Sequence, residues 1–166
     1  MLLLNTHTTE FNNFCEKYME KCYKVAALYL ATLEAMSIIH KHSHWTTKGE
    51  SFYGDHLLFE RLYDSVAKDL DSAAEKFIGL FGDECLDYDL QTALLNKVLS
   101  KYKNLEGSPL EMSLAVEKEF LKFAETAYKC FEEEGRLTIG LEDLLSAISG
   151  KREEAVYLLQ QTLDNH

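Results

Sequence analysis

Residues 55–81 read DHLLFERLYDSVAKDLDSAAEKFIGLF, and this stretch sets the fold of the chain. No proline interrupts it, and its apolar side chains recur at the spacing of an α-helix. At about 100° per residue, one sector of such a helix collects a continuous apolar face. The face consists of Phe59, Leu62, Val66, Leu70, Ala73 and Phe77. We therefore predict a long amphipathic helix that buries this face in a core.

The rest of the chain also shows helical spacing with few interruptions. Its 166 residues include only one proline and eight glycines, the residues that break helices most often. Further long helices are predicted at 10–44, 109–134 and 141–164, and a short helix at 87–101. The polar segment 46–54 is expected to be a loop. Because no segment alternates as a strand does, the sequence predicts an all-α protein. The expected architecture is a four-helix bundle with a short extra helix between the second and third helices, in a single domain, 1–166.

Composition narrows the classes of partner. The formal net charge of −11 and the absence of Lys and Arg from residues 1–16 argue against non-specific binding to nucleic acid, and suit attraction of cations. The initial MLLL is too short for a signal peptide, and we expect no apolar run that approaches a membrane span. The four cysteines form no CxxC pair and are expected to be reduced thiols. These features predict a cytoplasmic protein without a membrane partner.

A second face of the helix at 55–81 carries side chains that could bind a metal. His56 and Glu60 are four residues apart, as are Asp71 and Glu75, so each pair converges on one side of the helix. This face is centred roughly 130° from the apolar face, so the pairs do not point into the bundle core. A single pair of this kind is most often solvated surface. Since about 22 Å of helix separates His56 from Asp71, one chain cannot bring both pairs to the same ion.

The two pairs are placed symmetrically about the point between Ser65 and Val66. His56 lies as far before this point as Glu75 lies after it, and Glu60 and Asp71 are matched in the same way. Two copies of the helix packed antiparallel about a two-fold axis would therefore form two identical sites, each built from both chains. A small residue near the axis, Ala67, would allow close approach.

His44 can join this site from the end of the first helix. It precedes His56 by twelve residues across a helix–loop–helix corner, so the two imidazoles can lie side by side. This set of two imidazoles and three carboxylates suits iron. Manganese or zinc could bind in place of iron. His40 and His42 lack supporting partners in the sequence, and we expect both to be surface or interface histidines.

The segment 43–80, SHWTTKGESFYGDHLLFERLYDSVAKDLDSAAEKFIGL, resembles the signature of the Dps family, the ferritin-like DNA-protection proteins of starved cells. The matching points are the His44–Trp45 dipeptide, the Lys48–Gly49 loop, His56, Asp71 and Glu75. The segment 132–149, EEEGRLTIGLEDLLSAIS, also resembles the family's junction between its third and fourth helices. The resemblance covers nearly the whole chain.

This resemblance implies a hollow dodecamer that oxidises Fe(II) at inter-subunit di-iron sites, preferably with hydrogen peroxide, and stores ferric mineral. It implies that His44, His56 and Glu60 come from one subunit, and Asp71 and Glu75 from its two-fold partner. It also implies that Trp45 takes up oxidising equivalents, although this residue could simply pack the corner. By the same analogy, Asp143 lies near three-fold entry pores, although an acidic residue at a helix start is also ordinary.

The sequence departs from the family pattern at several points. Glu60 stands where the family usually has Asp, and Thr46 and Thr47 replace the usual Asn-x of the loop. Neither terminus is rich in lysine, so we do not expect tail-mediated DNA binding. No E-x-x-H motif occurs, which argues against a ferritin-type centre inside one bundle. The remaining alternative is a non-catalytic assembly that binds zinc or compacts DNA.

Overall fold

The computed structural model describes residues 22–103 and 105–165, and within them five α-helices and one 3₁₀ helix. The predicted helical start at 10–21, with Cys15, lies outside the described residues. The long helices are α1 (Cys22–Thr46), α2 (Phe52–Phe81), α4 (Pro109–Glu133) and α5 (Ile139–Asp164). The short helix α3 (Tyr88–Tyr102) follows a 3₁₀ helix (Asp83–Leu86) that the sequence did not predict. The predicted all-α bundle with a short helix between the second and third long helices is confirmed.

Local capping signals set several helix ends. The Ser108 hydroxyl accepts a hydrogen bond from the Glu111 amide at 3.2 Å, and the Glu111 carboxylate accepts one from the Ser108 amide at 2.7 Å. This reciprocal capping box, with Pro109 in the first turn, fixes the start of α4. The helix ends before Gly135, which adopts a left-handed φ of 64° that disfavours other residues.

Helix α1 is the central element, because it packs against α2, α3 and α4. Of its 25 residues, 16 are buried. By length and a mean hydropathy of 1.4 over an 18-residue window, this helix is apolar enough to cross a membrane, so the expectation of no such run was wrong. The window is 72% buried inside the bundle, which accounts for its apolar composition. The helix is apolar because most of its faces contact other helices.

The apolar face predicted for α2 is buried, apart from Leu70, which is half-buried. Phe77 lies at its centre, with its ring 5.5 Å from that of Tyr29 on α1 and 5.8 Å from that of Phe131 on α4. A second, smaller apolar cluster packs Phe59 of α2 with residues of α4 and α5. Within the described part of the chain, Cys22, Cys85 and Cys130 form no disulfide with one another, in keeping with the expectation of reduced thiols.

The bundle also buries a group of polar side chains, among them Asp69, Glu117 and Arg152. It includes His40, whose side chain is fully buried and not at the surface. The prediction that His40 is a surface or interface histidine was wrong, because α4 packs against the side of α1 that carries His40 and supplies its hydrogen-bond partners. His42, on the same helix, is exposed, as expected.

Candidate metal site

Two histidines meet at the corner between α1 and α2. His44 belongs to the last turn of α1 and His56 to the second turn of α2. Their imidazole rings stack with centroids 3.6 Å apart and an interplanar angle of 22°. The side chain of His44 is buried and that of His56 is half-buried. The fold therefore places His44 directly beside His56, although twelve residues separate them in the chain.

Each histidine is oriented by the backbone of the other. His44 Nδ1 donates a hydrogen bond to the His56 carbonyl at 2.9 Å, and His56 Nδ1 donates one to the His44 carbonyl at 3.0 Å. A carbonyl oxygen can only accept, so both rings must carry a proton on Nδ1. The Nε2 atom of each ring is thereby left to face away from the backbone, the arrangement found in metal-binding histidines whose other ring nitrogen is held by a hydrogen bond.

Aromatic side chains enclose the histidine pair. The Tyr63 ring packs edge-on against His44 at 5.3 Å, and Phe52 lies 5.1 Å from the His56 ring. Partial desolvation, followed by the negative charges of Glu60 and Asp64, raises the pKa of the Tyr63 hydroxyl. Tyr63 was not among the residues predicted for the site. Its position seven residues after His56, two turns along the same face, was the available signal.

The predicted acidic ligands lie on the exposed face of α2. Glu60, Asp71 and Glu75 are all solvent-exposed in the single chain. Within residues 22–103 and 105–165, no three His, Cys, Asp or Glu side chains converge closely enough to hold a metal ion. One chain thus brings together His44 and His56 one turn from Glu60, and leaves Asp71 and Glu75 farther along the helix.

Trp45 is 72% exposed in the single chain. It therefore does not pack the corner between α1 and α2, which was the simpler of its two interpretations. Asp143 is also exposed, and the N-cap of α5 is Thr138, whose hydroxyl accepts a hydrogen bond from the Leu141 amide at 3.1 Å. Capping of α5 is thus provided by Thr138.

Comparisons by sequence and by structure give different results. No protein-family model matches the chain, and no curated protein matches it by sequence. Among solved structures, Dps from Thermosynechococcus elongatus aligns with 89% of this chain and 92% of its own, with a TM-score of 0.73 and 21% identity. An archaeal Dps homologue from Halobacterium salinarum aligns with 89% of this chain and 81% of its own, with a TM-score of 0.71 and 16% identity.

Dps from Vibrio cholerae O1 aligns with 89% of this chain and 91% of its own, with a TM-score of 0.71 and 18% identity. That protein is described as a member of a broad superfamily of ferritin-like diiron-carboxylate proteins. The chain therefore has an all-α ferritin-like fold. More particularly, its fold is that of the Dps proteins.

Proposed function

We propose that this chain is a Dps-type mini-ferritin, a single domain over residues 1–166. Its subunits assemble into a hollow cage, a dodecamer by analogy with the family, in the cytoplasm. The cage oxidises Fe(II), with hydrogen peroxide as the oxidant, and stores the ferric product as mineral. Removing both reactants together would protect the cell against oxidative damage.

The observation that carries this proposal is the reciprocal bonding of His44 and His56. Two imidazoles held at Nδ1, with both Nε2 atoms facing away from the backbone, form a half-site for a borderline metal ion such as Fe(II). Histidines on a solvated surface would donate hydrogen bonds to water, and would not be held by each other's backbone carbonyls. The half-site lies one helical turn from Glu60, whose carboxylate supplies a hard oxygen ligand.

The exposed face of α2 supports completion of the site by a second copy of the chain. Beside Glu60, Asp71 and Glu75, the same face exposes Tyr53, at 73% of its surface, and Ile78, at 40%. Tyr53 and Ile78 are symmetric about the point between Ser65 and Val66, as the ligand pairs are, so antiparallel packing of two α2 helices would pair them.

In the proposed dimer, each site takes His44, His56 and Glu60 from one subunit and Asp71 and Glu75 from the other. The carboxylates attract Fe(II) and neutralise its charge, while the Nε2 atoms hold one of two ions. Two Fe(II) ions supply one electron each to a single peroxide. With two protons, the products are two Fe(III) and two water molecules, and no hydroxyl radical is released. Trp45, exposed beside His44, is proposed to take up stray oxidising equivalents.

The test is oxidation of Fe(II) by stoichiometric peroxide under anaerobic conditions, followed by the absorbance of the ferric product. Wild type should oxidise iron rapidly, and His56→Ala should lose the rapid phase because one ligand is missing. His42→Ala is the matched control: it removes an exposed histidine of α1 two residues from His44, and should react as wild type does. Size-exclusion chromatography checks that all three proteins assemble alike.

Equal, slow traces for wild type and His56→Ala would refute the ferroxidase proposal. The alternative is a non-catalytic assembly that binds zinc at the same ligands or compacts DNA. Zinc binding that His56→Ala abolishes, in a protein without oxidase activity, would establish the first of these. A gel shift of DNA at low salt would establish the second, against the expectation from the net charge of −11.

A further inference from the structure

Two cysteines lie at the same end of the bundle, on helices that are far apart in the sequence. Cys22 is at the start of α1 as the structure describes it, and Cys130 is in the last turn of α4. The side chain of Cys22 is half-buried, and Cys130 exposes 4% of its surface. The histidines of the candidate metal site lie at the opposite end of α1, so the two thiols belong to a separate part of the molecule.

The contacts between α1 and α4 establish how the two helices are aligned. Far from the cysteines, His40 Nδ1 of α1 lies 3.1 Å from the Ser113 hydroxyl of α4. Closer to the cysteines, the ring of Tyr29 lies 6.0 Å from that of Phe123. Moving back along α1 therefore corresponds to moving forward along α4 by nearly the same number of residues, so the two helices are antiparallel.

Cys22 and Cys130 occupy equivalent positions in this alignment. Cys22 precedes Tyr29 by seven residues, and Cys130 follows Phe123 by seven residues. Because seven residues make about two helical turns, each cysteine lies on the same face of its helix as the aromatic residue that makes the contact. Equal steps in opposite directions along antiparallel helices keep two residues opposite each other. The packing of α1 on α4 therefore places Cys22 opposite Cys130.

The spacing of packed helices suits a bond between these two sulfur atoms. Ala26 and Ala127, each about one turn from a cysteine, are fully buried, and their small side chains permit close packing of α1 on α4. Helix axes that pack about 8–10 Å apart, with Cα atoms at a radius of about 2.3 Å, leave roughly 3.5–5.5 Å between Cα atoms that face each other. Disulfides usually bridge Cα atoms about 4.4–6.8 Å apart. Facing cysteines on packed helices are therefore within reach of a disulfide.

The two thiols also affect each other's ionisation in the reduced protein. Burial raises the pKa of Cys130 to about 11, with Cys22 and then Glu134 acting in the same direction. Burial also raises the pKa of Cys22, with Glu134 acting in the same direction and Arg136 opposing it. The thiols of Cys22 and Cys130 share a hydrogen bond, which contributes to both pKa values. Since the thiolate is the reactive form, both sulfur atoms react slowly near neutral pH.

We propose that Cys22 and Cys130 are a modification site for hydroperoxides, at which they form a reversible disulfide between α1 and α4. The thiolate of Cys22, the more exposed of the two, attacks one peroxide oxygen and breaks the O–O bond, which gives a sulfenic acid and, with a proton, one water molecule. The sulfur of Cys130 then attacks the sulfenic sulfur, and the disulfide forms with release of a second water. The two thiols lose two electrons and two protons, and the peroxide takes up both. A cellular dithiol reverses the reaction by thiol–disulfide exchange.

The disulfide joins the start of α1 to the end of α4. It closes a loop of roughly one hundred residues, and a cross-link over so long a loop restricts the unfolded chain most strongly. The oxidised bundle is therefore more resistant to unfolding than the reduced one. Because both thiols are mostly protonated near neutral pH, the disulfide forms slowly and responds to sustained exposure to peroxide.

The test treats the full reduced chain with hydrogen peroxide and a metal chelator, at a peroxide concentration that oxidises the thiols of the urea-unfolded chain, and then blocks remaining thiols with N-ethylmaleimide. Trypsin releases Cys22 in peptide 22–24 and Cys130 in peptide 130–136. Mass spectrometry without reductant should find these peptides joined, lighter by two hydrogen atoms than their sum, and dithiothreitol should separate them. A bond from Cys22 to Cys15 would be recognised, because Cys15 is in another peptide. Since no iron takes part, the result does not depend on the ferroxidase proposal.

Matched variants assign the stabilisation to this pair of cysteines. Peroxide should raise the melting temperature of wild type by about 5–15 °C and leave that of Cys130→Ala unchanged. Cys85→Ala removes another buried cysteine, whose thiol donates to the Gly82 carbonyl at 3.3 Å, and should keep the wild-type shift. If Cys130→Ala fails to fold, Cys22→Ala takes its place, because the half-buried side chain of Cys22 is easier to truncate.

Several results would overturn the proposal. One is a bond from Cys22 to Cys15 in place of Cys130, and another is oxidation of either thiol only to sulfinic or sulfonic acid. A third is recovery of peptides 22–24 and 130–136 as separate, N-ethylmaleimide-blocked species after peroxide treatment of the folded chain. The stabilising role is overturned if peroxide shifts the melting temperature of Cys130→Ala as much as that of wild type.

Discussion

Sharing of the candidate site between two subunits predicts complementation between two inactive variants. His56→Ala damages the histidine half of each site, and Asp71→Ala damages the acidic half. If the halves come from different chains, a mixed dimer contains one site with both defects and one site with neither. Two proteins that are inactive alone should therefore regain activity when they assemble together.

The magnitude follows from random pairing of the two chains. In an equal mixture, about half of the dimers are mixed, and one of the two sites in each mixed dimer is intact. The mixture should therefore recover about one quarter of the wild-type sites. Sites formed within one chain would recover none, because every chain carries a defect.

The converse mixture sharpens the experiment. Wild type combined equally with the double variant His56→Ala/Asp71→Ala should also retain about one quarter of the sites, because both sites of a mixed dimer are then damaged. Sites within one chain would retain about half. The chains are unfolded and refolded together, and the amplitude of rapid peroxide-dependent iron oxidation is compared with that of wild type. The shared site would be refuted if the two single variants recovered no activity together, and if wild type mixed with the double variant retained about half of its activity.

Other predictions concern packing, capping and thiol chemistry. Phe77→Ala should cost about 3–5 kcal/mol of unfolding free energy in urea, because the ring is fully buried, and a loss below about 1 kcal/mol would contradict this packing role. Ser108→Ala should cost about 1 kcal/mol by removing the N-cap of α4, whereas the exposed Ser100→Ala should cost little; equal losses would argue against the cap. Burial, with smaller effects of Cys22 and nearby glutamates, raises the pKa of Cys130 to about 11. Its alkylation by iodoacetamide, followed by peptide mass spectrometry, should therefore keep rising about tenfold per pH unit beyond pH 9, and a plateau near pH 9 would contradict the shift.

Much of the fold could be predicted because its signals are local. The apolar spacing of α2 identified its buried face, and Pro109 was correctly predicted as the first residue of α4. The symmetry of the ligand pairs on α2 likewise depends only on spacing along one helix. Such features are determined by residues within a few turns of one another, so the sequence contains them directly.

The histidines of α1 show what the tertiary structure alone decided. His40 and His44 are one turn apart, yet one is locked among Ser113 and Glu117 in the core, and the other stacks on His56 at the corner. The partners of His40 lie 73 and 77 residues away in the chain. Most faces of α1 contact other helices, and its narrow exposed stripe of Glu34, Ile38, His42 and Trp45 includes apolar side chains, so the spacing of polar residues did not predict the environment of each histidine. The amino-acid sequence by itself determined which segments form helices and which residue types each helix carries. Packing of distant helices determined which histidine is held by a backbone carbonyl and which one joins the buried charges, because hydrogen-bond partners are supplied only when those helices meet.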